Sequence, residues 1–189
     1  MTDRSRRERA DAARNRAKVL EAAAELFTGK DPRAVTMEEV ARAAGIGRAT
    51  LYRRYPDIAS IAEALLDEHE RRLQEELLRG APPLGPGAPP GERLAAFYAA
   101  MAGLLERHAH LVLGAETGRA RFATGAYGFW RAHVLALLRA GGAPEPEALA
   151  DPLLAPLAPD VFTHQREQGL STEEIASALT HLARRVLPD

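Results

Sequence analysis

The amino-acid sequence predicts an all-helical protein of about nine helices. Strand-forming residues are sparse along the 189 residues, whereas the helix formers Ala, Leu, Glu and Arg are abundant. Apolar residues recur at helical spacing in most segments, and Pro or Gly separates one such segment from the next. The length allows one large domain or two smaller ones, each able to bury a hydrophobic core.

Four helices are predicted before residue 80. Residues 1–10 are polar and basic, and we expect them to form a disordered arm. Thr36 and Glu39 have the spacing of a capping box, in which side chains and backbone at a helix start bond to each other. Gly45 and Pro56 are typical of a helix end and a helix break. These signals predict helices over residues 11–28, 36–44, 48–55 and 57–79.

The remaining helices are expected after a Pro- and Gly-rich loop at residues 80–91, a composition typical of a flexible connection. A fifth helix follows this loop, a short helix is expected near residues 115–122, and another contains residues 130–138. Three prolines divide the segment around residues 152–159 into one or two kinked helices. A second capping box at residues 171–174 begins the last helix.

Charge is distributed unevenly along the chain. Residues 1–56 hold 13 Lys and Arg against 8 Asp and Glu, a net charge of +5. Residues 57–189 hold 12 against 18, a net charge of −6. A basic N-terminal part on an acidic body favours a polyanion partner such as nucleic acid, although an Arg-rich solvated surface would show the same balance.

Composition also excludes several classes of protein. The chain has no cysteine, which excludes disulfides and thiolate metal sites. No apolar run follows the basic N-terminus and none is long enough to span a bilayer, so we expect a cytoplasmic protein that has no membrane partner. We find no nucleophile, base and orienting group in a catalytic arrangement. We therefore predict no enzyme activity and no cofactor. His108 and His110 point to different helix faces, so we also predict no metal site.

The most informative segment is TMEEVARAAGIGRATLYRRY, at residues 36–55. A helix-turn-helix needs two short helices joined by a tight turn, and Gly45 can supply that turn. The second helix would then present Arg and hydroxyl side chains that suit guanine edges and phosphate oxygens. Thr36 lies at a helix start, where its hydroxyl and the helix dipole could bind a phosphate.

This segment resembles the signature of the TetR family of bacterial repressors, and the resemblance covers roughly residues 14–66. The matching residues are Thr36, Val40-Ala41, Ala44-Gly45-Ile46, Ala49-Thr50-Leu51-Tyr52 and Tyr55-Pro56-Asp57. The resemblance implies a homodimer that binds a pseudo-palindromic double-stranded DNA operator and is released by a small-molecule effector. It also implies a DNA-binding domain at 11–56 and a ligand-binding and dimerisation domain at 57–189. The expected DNA-binding residues are Thr36, Arg48, Ala49, Thr50, Tyr52, Arg53 and Arg54.

Two positions depart from the family pattern. Gly47 stands where the family often has Ser or Thr, which are better helix caps by a few tenths of a kcal/mol. Ile58 stands where the family usually has a Lys that contacts phosphate. We expect position 58 still to face DNA, but its spacing with Ile61 and Leu65 also fits packing against the helix-turn-helix.

The second half of the chain offers two candidate sites, each with an ordinary structural alternative. Large side chains there could line an effector pocket or form the core of a helical bundle: Phe97, Tyr98, Met101, Phe122, Tyr127, Trp130 and Phe162. An apolar stripe on the last helix is predicted to pair with a second subunit, or else to face its own core: Ile175, Leu179, Leu182 and Val186.

Two other classes of protein stay open. One is a ligand-independent DNA-binding protein, which a fully packed C-terminal core would favour. The other is a helical carrier or enzyme in which the basic N-terminal part is incidental.

Overall fold

The computed structural model describes residues 3–29, 34–115, 122 and 125–188. Within these ranges the fold is all-α, as predicted, with nine α-helices and no strand. The helices are α1 (Asp3–Gly29), α2 (Met37–Ala44), α3 (Arg48–Arg54), α4 (Ile58–Arg79), α5 (Pro90–Ala115), α6 (Gly125–Ala140), α7 (Pro146–Leu154), α8 (Pro159–Glu167) and α9 (Thr172–Val186).

The chain divides into two compact units, an N-terminal unit of Met1–Glu68 and a C-terminal unit of His69–Asp189. The division lies inside α4, whereas the sequence placed the domain boundary between residues 56 and 57. The reason is packing, because Ile61 and Leu65 at the start of α4 belong to the core of the N-terminal unit. The ligand-binding and dimerisation roles assigned to residues 57–189 stay a prediction.

One apolar cluster holds the N-terminal unit together. On α1, Leu20 is 4% and Ala23 is 0% exposed, and Leu51 of α3 is 1% exposed. Small residues on α2, such as Ala41, let neighbouring helices approach closely. A salt bridge of 2.6 Å between Arg16 and Glu68 also joins α1 to α4.

The start of α1 differs from the expected disordered arm at residues 1–10. The structure is helical from Asp3 onward. No Pro or Gly interrupts residues 3–28, and the Arg, Glu and Ala of this segment are good helix formers. Adding residues to an existing helix is also easier than nucleating a new one, so α1 extends beyond its apolar face.

The C-terminal unit is built around α5. The inner face of α5 is buried and includes Leu94, Phe97 and Met101. Helix α9 packs mainly on α5, and α6 packs mainly on α7. The second predicted capping box is confirmed, because the Glu174 amide donates to the Ser171 hydroxyl over 3.1 Å.

Three connections refine the predicted elements. Helix α5 begins at Pro90, so the last two residues of the predicted loop are helical. The short helix expected at residues 115–122 lies largely outside the described residues, and Ala115 is the last residue of α5. A 3-10 turn, Ala155–Leu157, joins α7 to α8, as expected from prolines that cannot donate a backbone hydrogen bond.

Candidate nucleic-acid interface

The predicted capping box at Thr36 is present. The Glu39 amide donates to the Thr36 hydroxyl over 3.2 Å, and the Thr36 amide donates to the Glu39 carboxylate over 2.8 Å. The Thr36 hydroxyl also donates to that carboxylate over 2.9 Å. Both polar groups of Thr36 are therefore engaged with Glu39, and a phosphate would have to replace this carboxylate in order to bind there.

The turn between α2 and α3 requires a glycine at one position. Gly45 has a φ of 63°, in the left-handed region, and its amide donates to the carbonyls of Ala41 and Arg42. Gly47 has an ordinary φ of −69°, and a Cβ added there would meet only the Thr50 hydroxyl at 4.0 Å. The structure therefore has room for the Ser or Thr usual in the family, and α3 simply begins without a side-chain cap.

Helix α3 presents most of the predicted DNA-binding residues to solvent. Leu51 faces the core, whereas Arg48, Tyr52 and Arg53 are exposed. The Tyr52 side chain is 43% exposed, which is unusual for a large aromatic residue. Ala49 and Arg54 are also exposed, and Thr50 is half-buried.

The three arginines of α3 differ in their surroundings. Arg48 forms an ion pair with Glu38 of α2. Arg54 donates to the Ala12 carbonyl over 3.2 Å, and its guanidinium lies 6.0 Å from the centre of the Tyr55 ring. Arg53 makes no side-chain hydrogen bond to any described residue. Arg53 is therefore the most available cation of this helix, and Glu38 is a neighbour that sequence reasoning did not identify.

A cleft of about 320 Å³ separates α1 from α3. Its lining includes Asn15 of α1 and Thr50, Arg53 and Arg54 of α3. Tyr55 also borders it, and this residue is 5% exposed with a hydroxyl that has no partner among the described residues. Tyr55 is thus a core residue, and polar and cationic groups of α1 and α3 line the cleft.

Ile58 is partly buried and packs against the core of the N-terminal unit. The expectation that this position faces DNA is therefore not supported, and the alternative of packing fits the structure. Ile58 begins α4, and its neighbours Ile61 and Leu65 are 0% and 3% exposed. An apolar residue here extends the buried face of α4 by one turn.

The predicted pocket residues are mostly core. Phe97 and Tyr98 are both 0% exposed, and the Tyr98 hydroxyl donates to the Leu153 carbonyl over 2.8 Å. Burial raises the pKa of Tyr98 well above its usual value. The other buried members are Met101, Trp130 and Phe162. By contrast, Phe122 is 52% exposed and meets the edge of Tyr127, whose hydroxyl donates to Asp151 over 2.7 Å.

Two buried polar atoms of the C-terminal unit were not anticipated. The Nε atom of Arg93 and the Nε2 atom of His133 are buried, and neither has a hydrogen-bond partner among the described residues. The His133 ring lies 5.3 Å from that of Phe97. Burial, together with the nearby Arg93 charge, lowers the pKa of His133 to about 4, so the imidazole is neutral at physiological pH.

The apolar stripe of the last helix is split between core and surface. Ile175 and Leu179 are 3% and 8% exposed and belong to the core of their own chain, so they are not available to a second subunit. Leu182 is 36% exposed and Val186 is half-buried. Helical spacing places residues 175, 179 and 183 on one buried face, which leaves Leu182 on a neighbouring face.

Within the described residues the structure contains neither a metal-binding cluster nor a membrane-spanning helix. No cluster of three or more His, Asp or Glu there could hold a metal ion. No helix described here has the length and apolar character needed to cross a membrane.

Comparison with known proteins agrees with this geometry. Residues 19–65 match the family described as "Bacterial regulatory proteins, tetR family". A 61-residue segment is 41% identical to an uncharacterised HTH-type transcriptional regulator of Mycobacterium tuberculosis, covering 32% of this chain. The match spans only 30% of that relative.

Solved structures resemble the chain over most of its length. A TetR-family regulator from Rhodococcus sp. superposes with a TM-score of 0.64 at 18% identity, over 93% of this chain and 99% of that one. A tetR-family regulator from Streptomyces coelicolor gives a TM-score of 0.65 at 19% identity, over 91% and 79% of the two chains. At sequence identities this low, the similarity to these structures establishes the fold alone.

Proposed function

We propose that this chain, which belongs to the TetR family of bacterial regulatory proteins, is a repressor that binds a palindromic operator as a homodimer and releases it when an effector binds. The observation that carries the DNA-binding part is α3. It follows the left-handed Gly45 turn and exposes Arg48, Tyr52 and Arg53 on a helix anchored by Leu51. A short helix of this kind fits the major groove, with its first residues at the base edges.

Selection of bound duplexes from a random DNA pool tests this function directly. We expect a palindromic consensus, because a two-fold dimer presents two copies of α3 to two half-sites. Binding should weaken as salt rises, with a slope of about −0.9 in log K against log salt for each phosphate neutralised. Binding that ignored both salt and sequence would contradict the proposal.

Arg48→Ala tests which end of α3 reads bases. Arg48 is the first residue of the helix and its side chain is 67% exposed. Loss of its contact with a base should cost about 1–3 kcal/mol and relax preference at one position of each half-site. Lys18→Ala, which removes an exposed positive charge from α1, is the matched control and should leave base preference unchanged.

The homodimer is proposed from exposed apolar residues late in the chain. Val161 of α8, Leu170 of the following turn and Leu182 of α9 are 39%, 40% and 36% exposed. Burying such residues against a second copy would remove apolar surface from water. Light scattering should therefore give twice the mass of the 189-residue chain, whereas a monomer that still binds a palindrome would exclude this part of the proposal.

Effector binding is proposed for the C-terminal unit because of Arg93 and His133. Leaving buried polar atoms unsatisfied costs about 1–3 kcal/mol each, and an effector that accepts from Arg93 Nε and also bonds to His133 Nε2, which donates or accepts according to the imidazole tautomer, would satisfy both. We therefore expect a metabolite screen by thermal shift to yield a ligand that weakens operator binding. That ligand should lose affinity when Arg93 is replaced by Gln. If operator binding responds to no ligand, the chain is a ligand-independent DNA-binding protein.

A further inference from the structure

Glu38 is an acidic residue of α2 that contacts α3. It lies in the first turn of α2, and its carboxylate forms an ion pair with the guanidinium of Arg48. The two residues are ten positions apart, and the Gly45 turn brings them together. Both side chains reach solvent, at 67% exposure for Arg48 and 38% for Glu38.

Glu38 has no other hydrogen-bonding task among the described residues. The capping box of α2 uses the neighbouring Glu39, whose carboxylate accepts from the Thr36 amide over 2.8 Å. Apart from its pair with Arg48, Glu38 therefore contributes to the fold through the favourable position of a negative charge at a helix start. Its contact with Arg48 is thus separable from the stability of α2.

The position of Arg48 makes a neighbouring carboxylate favourable. It is the first residue of α3, where the helix dipole disfavours a positive charge, and Gly47 before it offers no side-chain cap. A free guanidinium there would also sample many rotamers before it met a base. The Glu38 carboxylate offsets the unfavourable interaction of Arg48 with the helix dipole, and it restricts the rotamers that the guanidinium samples.

We propose that Glu38 is a positioning residue that raises sequence discrimination by holding Arg48 for a base edge. This inference rests on the proposed DNA-binding function of α3. A carboxylate on the recognition surface lowers affinity for every duplex, because it opposes the phosphate charge. A preorganised Arg loses less conformational freedom when it binds guanine with two hydrogen bonds. The first effect lowers operator and random affinity alike, whereas the second widens the gap between them.

The test compares Glu38→Gln with the wild-type protein on the selected operator and on a random duplex. Affinity for random DNA should rise, and the salt slope should steepen by up to about 0.9 because Arg48 is freed for one phosphate. The ratio of operator to random affinity should fall by about two- to fivefold, the range set by an exposed ion pair. Glu21→Gln, an exposed glutamate of α1 in the same unit, is the matched control.

A double-mutant cycle with Arg48→Ala shows whether Glu38 acts through Arg48. In the Arg48→Ala background, Glu38→Gln should leave the operator-to-random ratio unchanged. The melting temperature of the Glu38→Gln protein should lie only slightly below that of Glu21→Gln, by the loss of one favourable charge at the start of α2, whereas a structural role would lower it strongly.

Two results would overturn the inference while leaving the proposed function intact. One is an operator-to-random affinity ratio that falls no further with Glu38→Gln than with Glu21→Gln. The other is a fall in this ratio on Glu38→Gln that is equally large in the wild-type and Arg48→Ala backgrounds. A wild-type protein that selects no DNA sequence at all would instead remove the proposed function, and this inference with it.

Discussion

Leu179 and Leu182 lie three residues apart on α9, and replacing each by Glu should have opposite consequences. Leu179 is 8% exposed, so Glu there must either bury a charge or protonate. The lost apolar burial alone is of the size seen in core Leu→Ala changes, about 2–5 kcal/mol. Since a domain is stabilised by only about 5–15 kcal/mol, Leu179→Glu should be poorly folded.

Leu182 is 36% exposed, so Glu at this position meets water in the isolated chain. Its effect on the free energy of unfolding of one subunit should be within about 0.5 kcal/mol, as for other surface changes. In the proposed two-fold dimer the substitution occurs twice, and each carboxylate would lose water on association. Leu182→Glu should therefore give folded monomers with weakened operator binding.

Three measurements distinguish the two variants. They are urea unfolding monitored by the fluorescence of Trp130, light scattering, and a titration of operator binding. Leu179→Glu should lower the unfolding midpoint strongly, whereas Leu182→Glu should halve the mass and lower the midpoint only by the stabilisation that dimerisation contributes. The burial argument is refuted if Leu179→Glu unfolds at the wild-type urea concentration. The interface argument is refuted if Leu182→Glu remains dimeric.

Three further predictions follow from the same structure. Ile58→Lys should lower the melting temperature and leave the salt slope of DNA binding unchanged, because Ile58 packs against the core, and a steeper slope would show that it faces DNA. Thr36→Ala should cost about 0.5–2 kcal/mol in urea unfolding, whereas Thr36→Ser should retain the cap and most of the stability. The His133 pKa of about 4 lies below its value of 6.5 in the unfolded chain, so protonation of the unfolded chain should reduce stability by about 1–3 kcal/mol as pH falls from 6.5 to 4. His133→Gln should remove this pH dependence, which is absent above pH 6.5.

Most of the correct predictions rest on residues that are close together in the sequence. Thr36 with Glu39 and Ser171 with Glu174 form their capping boxes within four residues, so no distant contact is needed to recognise them. Gly45 adopts the left-handed conformation that its place between two short helices implied. Helix α3 was also predicted from local signals, because the spacing of residues alone identifies a short helix after a tight turn.

The features that were missed depend on contacts between distant residues. The apolar stripe of α9 predicted a single face, but only the packing of α9 on α5 shows that Leu179 is inside and Leu182 outside. The proximity of Arg93 and His133 requires α5 and α6 to be placed side by side. The start of α1 was missed because the apolar pattern marks where a helix packs and not where it begins.

The net charge of the N-terminal residues overstates what is available to DNA. Arg14 pairs with Asp11, Arg16 pairs with Glu68, and Arg48 pairs with Glu38. Arg54 is held by a carbonyl of α1. Each of these cations must exchange an internal partner for a phosphate before it can release a counterion. Non-specific affinity should therefore reflect fewer phosphate contacts than the number of basic residues, which leaves a larger share of binding free energy to groups that read sequence.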